Sequence, residues 1–349
     1  MKSIKNFQLL AGVFLSLSLL LFSSQTIAQS TVAIQPQFSD YTDINPNKAL
    51  GNPLHLDIFA PDPSARVWPD GKLYIYPSRD TPGKPFSDME SWHVLSTENV
   101  VDWTDHGRIF HVKDVPWAKS KAWAPDCAYR NGTYYFYFPC NDTIDGNWVG
   151  VATSKSPTGP FTNPTKLVNG VDPNVLEDYD GIFWYMMNGS IQKLGENMTS
   201  LEGPKYKWND YTVGFPKYDT YAHEGTWMFK RNGIYYLMSA SSSPTPREDK
   251  NKQKHVLIYG MSDKMTGPYV YKGIVMNTIG NLTGKGLGNN HGSIVEYKGK
   301  WILFYHKLWK APDGNVNRAT CADYVTFNAD GTINEVFPTD KGVVFRNIK

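Results

Sequence analysis

Asp172-Pro173-Asn174-Val175-Leu176-Glu177-Asp178-Tyr179-Asp180-Gly181-Ile182-Phe183-Trp184-Tyr185-Met186 is the stretch whose reading decides the fold. An acid opens it, a short apolar run follows, an Asp-Gly pair interrupts, and an aromatic run closes it. Asp-Gly between apolar runs is a strong hairpin signal, because a two-residue hairpin turn needs positive φ at both positions. The stretch therefore reads as the first two strands of a small antiparallel sheet, entered by a carboxylate.

The same plan recurs four times. Asp62 to Val67 leads through Asp70-Gly71 to Leu73-Tyr74-Ile75-Tyr76. Asp126 to Tyr129 leads through Asn131-Gly132 to Tyr134-Tyr135-Phe136-Tyr137-Phe138. Glu224 to Phe229 leads through Asn232-Gly233 to Tyr235-Tyr236-Leu237-Met238, and His291 to Val295 leads through Lys298-Gly299 to Trp301-Ile302-Leu303-Phe304-Tyr305. Between successive openers there is chain enough for two further strands, as in Gly150-Val151-Ala152-Thr153-Ser154 and in Val256 to Ser262. No long amphipathic helix pattern intervenes. The chain is thus expected to be all-β, a five-bladed β-propeller of four-stranded antiparallel blades.

In a propeller the innermost strand of every blade starts from one face, so the fold brings the openers Asp62, Asp126, Asp172, Glu224 and His291 together. For any one of them alone, a strand-entry cap is the lesser alternative. Five titratable groups at equivalent positions read as a site. Several carboxylates in one depression push their pKa values apart, so that one keeps its proton while others stay ionised. That division cleaves an acetal. The other use of such a cluster is to hold calcium, an oxygen-liganded cation. No Cys-x-x-Cys or His-Glu-x-x-His spacing supports a zinc mechanism.

The ordered set Ala60-Pro61-Asp62-Pro63-Ser64, Trp123-Ala124-Pro125-Asp126, Val171-Asp172-Pro173-Asn174-Val175, His223-Glu224-Gly225 and Asn290-His291-Gly292-Ser293 resembles glycoside hydrolase family 43. The resemblance runs from about Asn52 to the C-terminus. It implies a five-bladed propeller and an inverting hydrolase. It makes Asp62 the general base, Glu224 the general acid and Asp172 the carboxylate that keeps the acid's pKa raised and orients it. An inverting pair stands roughly 6.5–9.5 Å apart. The resemblance further implies that Arg318 hydrogen-bonds sugar hydroxyls, and Trp123, Asp126 and His291 are placed with it on the substrate side. For Arg318 the alternative is a surface salt bridge. Asp126 is either polar support or pocket wall. His291 lies at the channel axis, near a calcium ion or an ordered water, or simply holds the axis together. No cofactor is required, and a structural calcium at the axis is the one metal implied. One departure stands out: the family's first motif reads Ala-Asp-Pro, whereas here Pro61 precedes Asp62 and stiffens the approach.

The expected reaction is hydrolysis of plant-type polysaccharides or oligosaccharides, by an α-L-arabinofuranosidase or β-xylosidase acting from chain ends. Exo-galactanase and endo-arabinanase or xylanase action are the alternatives within the family. Loops 77–92 and 241–254 are long enough to wall off a pocket. A non-catalytic sugar-binding propeller would not need three placed carboxylates, and the repeated boxes of a sialidase are missing.

The N-terminus carries Lys2 and Lys5, an apolar run from Leu9 to Phe22 and small residues ending at Ala28. This is the layout of a secretory signal peptide, so residues 1–28 are expected to be removed and residues 29–349 to form a single catalytic propeller, exported to the periplasm or the exterior. Loss of the two lysines takes the formal net charge from +2 to about zero, which leaves no electrostatic footprint for nucleic acid or anionic lipid. The apolar run is short for a membrane span. The expected partner is a saccharide. Aromatic residues make up 14% of the chain, which suits both a large β core and stacking on sugar rings. Of three cysteines, Cys127 and Cys140 flank a hairpin and read as a disulfide or as buried free thiols.

Overall fold

The computed structural model describes residues 51–54, 58–84, 88–142, 144, 146–187, 189–216, 224–242, 255–276, 291–310, 314 and 316–343. The expected signal peptide and cleavage near Ala28 lie outside these residues, as do 85–87 of the first candidate pocket loop and nearly all of the second.

Five small sheets follow one another along the chain. Blade one holds β1 (Ser64–Val67), β2 (Leu73–Tyr76), β3 (Ser91–Thr97) and β4 (Trp103–His111). Blade two holds β5 (Ala118–Ser120), β6 (Asp126–Arg130), β7 (Thr133–Asp142), β8 (Asn147–Ser154) and β9 (Thr162–Asn169). Blade three holds β10 (Asn174–Glu177), β11 (Phe183–Met187), β12 (Ser190–Leu194) and β13 (Leu201–Lys207). One helical turn, α1 (Trp208–Tyr211), leads into blade four: β14 (Thr212–Val213), β15 (Glu224–Arg231), β16 (Ile234–Ser242), β17 (His255–Ser262) and β18 (Tyr269–Met276). Blade five holds β19 (Ser293–Tyr297), β20 (Lys300–Lys310) and β21 (Val316–Val325). The inner strands touch in a closed cycle, β1 to β6 to β10 to β15 to β19 and back to β1. This is a five-bladed β-propeller.

The strand count departs from four in three blades. In blade two, β5 and β6 pair in turn with one long β7. In blade four, β14 adds a short parallel edge outside β18. Blade five has three described strands, and chain from the other terminus lies against its last one. The Leu54 N–H donates to the Thr320 carbonyl at 2.8 Å. The Asn52 amide mimics a peptide, accepting from the Ala322 N–H at 2.8 Å and donating to the Ala322 carbonyl at 3.0 Å. The ring is closed by residues about 270 positions apart in sequence.

The turns explain the hairpins. Asn131-Gly132, Asn232-Gly233 and Lys298-Gly299 have positive φ at both positions, the two-residue turn that continues strand twist. At Asp70-Gly71 and Asp180-Gly181 only the glycine is positive. There the loops are longer, and each aspartate accepts the N–H two residues on, from Lys72 at 3.1 Å and Ile182 at 2.9 Å.

Five hydrophobic clusters fill the spaces between blades, one for each neighbouring pair. Most aromatic residues are spent here: Trp92, Phe110, Phe136 and Phe138 pack within 4.9–6.2 Å of one another, mixing stacked and edge-on pairs as ring quadrupoles favour. Cys127, Cys140 and Cys321 are buried free thiols. No described helix is long and apolar enough to cross a membrane.

The inner strands are held together by polar contacts at every interface. Ser64, Asp126, Asn174 and Ser293 occupy matching ladder positions, opposite Tyr76, Tyr137, Met186 and Phe304. The Asp126 carboxylate accepts from Ser64 Oγ at 2.5 Å and Arg66 Nε at 2.9 Å in blade one, and from Asn174 Nδ2 at 3.1 Å and the Val175 N–H at 2.7 Å in blade three. Asn174 Oδ1 accepts the Met228 N–H at 2.9 Å, Trp227 Nε1 donates to the Ile294 carbonyl at 3.0 Å, and Ser293 Oγ donates to the Pro63 carbonyl at 2.7 Å. Asp126 is fully buried, and both its oxygens are engaged. Of its two expected roles, polar support is the one this geometry serves, and its place as a substrate contact is corrected. Its true row is two residues past the openers, and the blade-two residue in the row of Asp62 and Asp172 is Ala124. Replacing Asp126 by Ala leaves the part-buried Arg66 guanidinium, the Ser64 hydroxyl, the Asn174 amide and the Val175 N–H without their acceptor and is expected to cost about 3–5 kcal/mol in a denaturant titration; a loss below about 1 kcal/mol would contradict the hub.

Candidate active site

Asp62 and Asp172 each sit two residues before the polar row, where the chain enters the inner strand. Both adopt left-handed backbone, φ 55° and 54°. The proline before Asp62 therefore leaves it in the same conformation as Asp172, which follows Val171. Blade four reaches the same arrangement by another route. Gly225 and Thr226 together oppose the single residue Ser239, a β-bulge between the Glu224–Ala240 and Trp227–Met238 pairs. The bulge restores Glu224 to the opener row. Gly225 has φ 55°, and a Cβ there would stand 2.9 Å from the His291 ring. Only glycine fits.

These residues form one connected group. The Gly225 N–H donates to Asp172 Oδ2 at 3.2 Å. His291 Nδ1 lies 3.9 Å from Asp62 Oδ1. Asp62 is 4% exposed and has four polar partners. Arg318 Nη1 donates to both its oxygens at 3.0 and 3.2 Å, and Ser78 Oγ donates at 2.8 Å. The Asp62 N–H donates to His306 Nδ1 at 3.1 Å.

Environment splits the carboxylates. Burial pushes Asp62 up, but the Arg318 charge, the electrostatic effect of the His306 and His291 rings and the Ser78 hydrogen bond outweigh it and bring the group down to about 2. Glu224 has no cation among its causes: burial, then the charges of Asp172 and Asp62, push it up to about 7. Asp172 is raised, first by burial, with His291 and the Gly225 N–H working the other way. The site thus holds an ionised carboxylate and a carboxyl that keeps its proton to near neutrality, the two states that acid–base cleavage of an acetal requires.

Arg318 is 1% exposed, which corrects its reading as a surface ion pair. Its Nε and Nη2 donate to Asp80 at 3.2 and 2.8 Å, and its own N–H donates to Asp80 at 3.0 Å. The structure surrounds it with carboxylates. Trp123 is half-buried, with Lys121 Nζ 4.9 Å from its ring centre.

A calcium ion would want six to eight oxygens at 2.3–2.6 Å. Asp62, 3.9 Å from His291, is already matched by Arg318. Among the described residues no three His, Cys, Asp or Glu side chains are arranged to hold a metal. The described side chains do not by themselves make a calcium cage.

Ser78, Asp80 and His306 were missed in the sequence. A signal existed: in an antiparallel hairpin the residues just past the second strand lie beside the opener, and all three stand just past Tyr76 or Phe304, the partners of Ser64 and Ser293. Arg66 was missed as well. It reaches from β1 to Asp126, the Val175 carbonyl at 2.8 Å and the Trp227 ring at 4.3 Å.

A split pair of carboxylates at a propeller axis is the equipment that glycoside hydrolysis uses. The sequence model for glycosyl hydrolases family 43 matches residues 51–333, and the chain belongs to that family. It is 32% identical to xylosidase/arabinosidase 43A of Humicola insolens over 80% of this chain and 98% of that one. Among solved structures it is similar to a family 43 β-xylosidase/α-arabinofuranosidase from a compost microbial metagenome, in complex with xylotriose in calcium-free form. That likeness has 30% identity, 84% and 98% coverage and a TM-score of 0.67. A Xanthomonas citri enzyme complexed with xylotriose matches at 30% identity, 85% and 96% coverage and a TM-score of 0.70. The chain is a glycoside hydrolase.

Asp172 raises Glu224 through charge, so Asp172→Asn is expected to lower the Glu224 midpoint from about 7 toward the ordinary glutamate range near 4.3. Carbon-13 NMR of the Glu224 carboxyl measures this, and no movement or an upward one would contradict the coupling.

Proposed function

We propose that the enzyme removes α-L-arabinofuranosyl or β-D-xylosyl units from plant-type oligosaccharides by single displacement with inversion. The carrying observation is the split between Asp62, down at about 2, and Glu224, up at about 7. Asp62 is ionised at working pH and takes a proton from water as the water oxygen attacks the anomeric carbon. Glu224 gives its proton to the departing glycosidic oxygen. One bond to oxygen forms as the other breaks, on opposite faces of the ring. The released product takes the Glu224 proton, Asp62 holds the water's proton, and exchange with solvent resets both. Asp172 keeps the acid protonated and fixes the Gly225 bulge that carries it. Arg318, held by Asp80, keeps the base ionised.

The choice of sugar is supported by relatives named for xylose and arabinose release. The three side chains and water suffice for the chemistry. Export through residues 1–28 remains part of this proposal, since its support is the sequence pattern of charged, apolar and small residues.

Two outcomes are expected. Asp62 must be ionised, so activity is present above its pKa of about 2; Glu224 must be protonated, so activity is present below about 7. kcat/KM is therefore expected to fall about tenfold per pH unit above neutrality with no comparable loss at pH 4–5. A profile rising through pH 8 would overturn the assignment. Glu224→Gln is expected to lose about 10²–10⁴-fold on xylo- or arabino-oligosaccharides and much less on aryl glycosides whose leaving group needs no proton. Equal losses on both would remove Glu224 as the acid.

A further inference from the structure

Blade one carries a second polar cavity at the same end of the propeller as the carboxylates. β2 runs toward that end, β3 begins there and β4 finishes there, with Ser91 paired to His111. Ser78 and Asp80, just beyond β2, turn to Asp62 and Arg318. Arg79 lies between them, and in extended chain alternate side chains point to opposite sides. It lines a cavity of about 360 Å³ with Arg108, Glu90 and His111, a volume within the usual range of small-molecule sites, about 300–1,000 Å³. Ser91, Thr81 and His93 complete the lining.

The charges in this cavity are unbalanced. Neither Arg79 nor Arg108 forms a salt bridge among the described residues. Arg79 Nε is sealed from solvent without a hydrogen-bond partner, a costly state for a charged donor. His93 is committed to Asp105 at 3.2 Å. His111 Nδ1 accepts from the Lys113 N–H at 2.9 Å, and burial, then Arg108, lower its pKa. It is therefore a neutral ring that offers Nε2–H, 3.6 Å from Glu90.

Two guanidinium groups facing one carboxylate leave a single net positive charge. That suits a monoanion better than a phosphate dianion, which Glu90 would repel. Glu90, Ser91 and Thr81 supply acceptors and donors for hydroxyl groups. Both features belong to a sugar acid.

We propose that this cavity binds the carboxylate and hydroxyls of a uronic acid, as an acidic residue on the saccharide that the enzyme processes. Anion binding rests on the cavity alone, and the saccharide identity rests on the glycosidase reading.

The test titrates D-glucuronate, D-glucose and inorganic phosphate into the full chain by calorimetry. Glucuronate is expected to bind at least tenfold tighter than glucose and tighter than phosphate. Arg79→Gln and Arg108→Gln are each expected to weaken glucuronate at least tenfold, while hydrolysis of a neutral aryl glycoside stays within twofold. Arg108 lies on β4, a partly exposed strand, so its variant keeps the test open if Arg79→Gln fails to fold. The proposal is overturned if wild type that cleaves the aryl glycoside fails to bind glucuronate. It is equally overturned if phosphate or glucose binds as well as glucuronate, or if a folded variant binds like wild type. Failure of the glycosidase reading would show separately, as wild type inactive on every aryl glycoside tried.

Discussion

Asp126 receives hydrogen bonds from Ser64 and Arg66 in one neighbouring blade and from Asn174 and Val175 in the other. A propeller blade touches only its two neighbours, so the ring stands or falls on such interfaces. Hydrophobic clusters between blades supply most of the attraction but little register, because burial is non-directional. A buried carboxylate is directional. It is costly to desolvate, and that cost is met only when every lone pair is taken and a guanidinium lies alongside. Sliding β1, β6 or β10 by one residue would break the set. The hub thus fixes the height at which three inner strands begin.

That height decides the chemistry. Two residues upstream of the polar row lie Asp62 and Asp172, with Glu224 brought level by the bulge at Gly225. Identical residue types then diverge by environment. Asp126 is buried among donors, Asp62 lies against Arg318 and is brought down to about 2, and Glu224, beside other acids, is pushed up to about 7. The Asp80–Arg318–Asp62 line carries this divergence: Asp80 holds the guanidinium on two contacts and the Arg318 backbone N–H on a third, and the guanidinium holds Asp62. Asp62 and Asp80 share the one arginine between them, whereas Glu224 has no such partner and is pushed up by burial and by the neighbouring acids.

The hairpins were legible because turn chemistry is local: Asn-Gly and Asp-Gly pairs mark them whatever surrounds them. The family was legible from the order of short motifs. Blade two was misread by two residues because Asp126 was matched to the openers by residue type. Ladder counting back from Arg130–Thr133 puts Ala124 in their row instead. Arg66, Asp80 and His306 were harder to place for a different reason. Their partners lie 60, 238 and 244 positions away: packing of neighbouring blades brings Arg66 to Asp126, and closure of the ring makes the other two contacts, so hairpin position alone names no partner. The strand count in blade five failed likewise, since its missing edge is met by Asn52 and Leu54 from the far end of the chain.

The backbone at the site adds a last constraint. A residue before proline is steered toward extended conformations, yet Asp62 and Asp172 both precede proline and both take φ near 55°. For most residues this left-handed conformation costs roughly 1–2 kcal/mol. Aspartate is among the few non-glycine residues that tolerate it, because its short polar side chain can bond locally. Glycine would relieve the strain and remove the carboxylate; glutamate would keep the charge but lose the local bonding and the reach that lets Ser78 and Arg318 grip Asp62. At these two positions conformation and chemistry select the same residue, and the hydrogen bonds that lower Asp62 also hold its backbone in place. At Glu224 the two demands are separated: Gly225 takes the left-handed backbone, which leaves the opener free to be the longer acid.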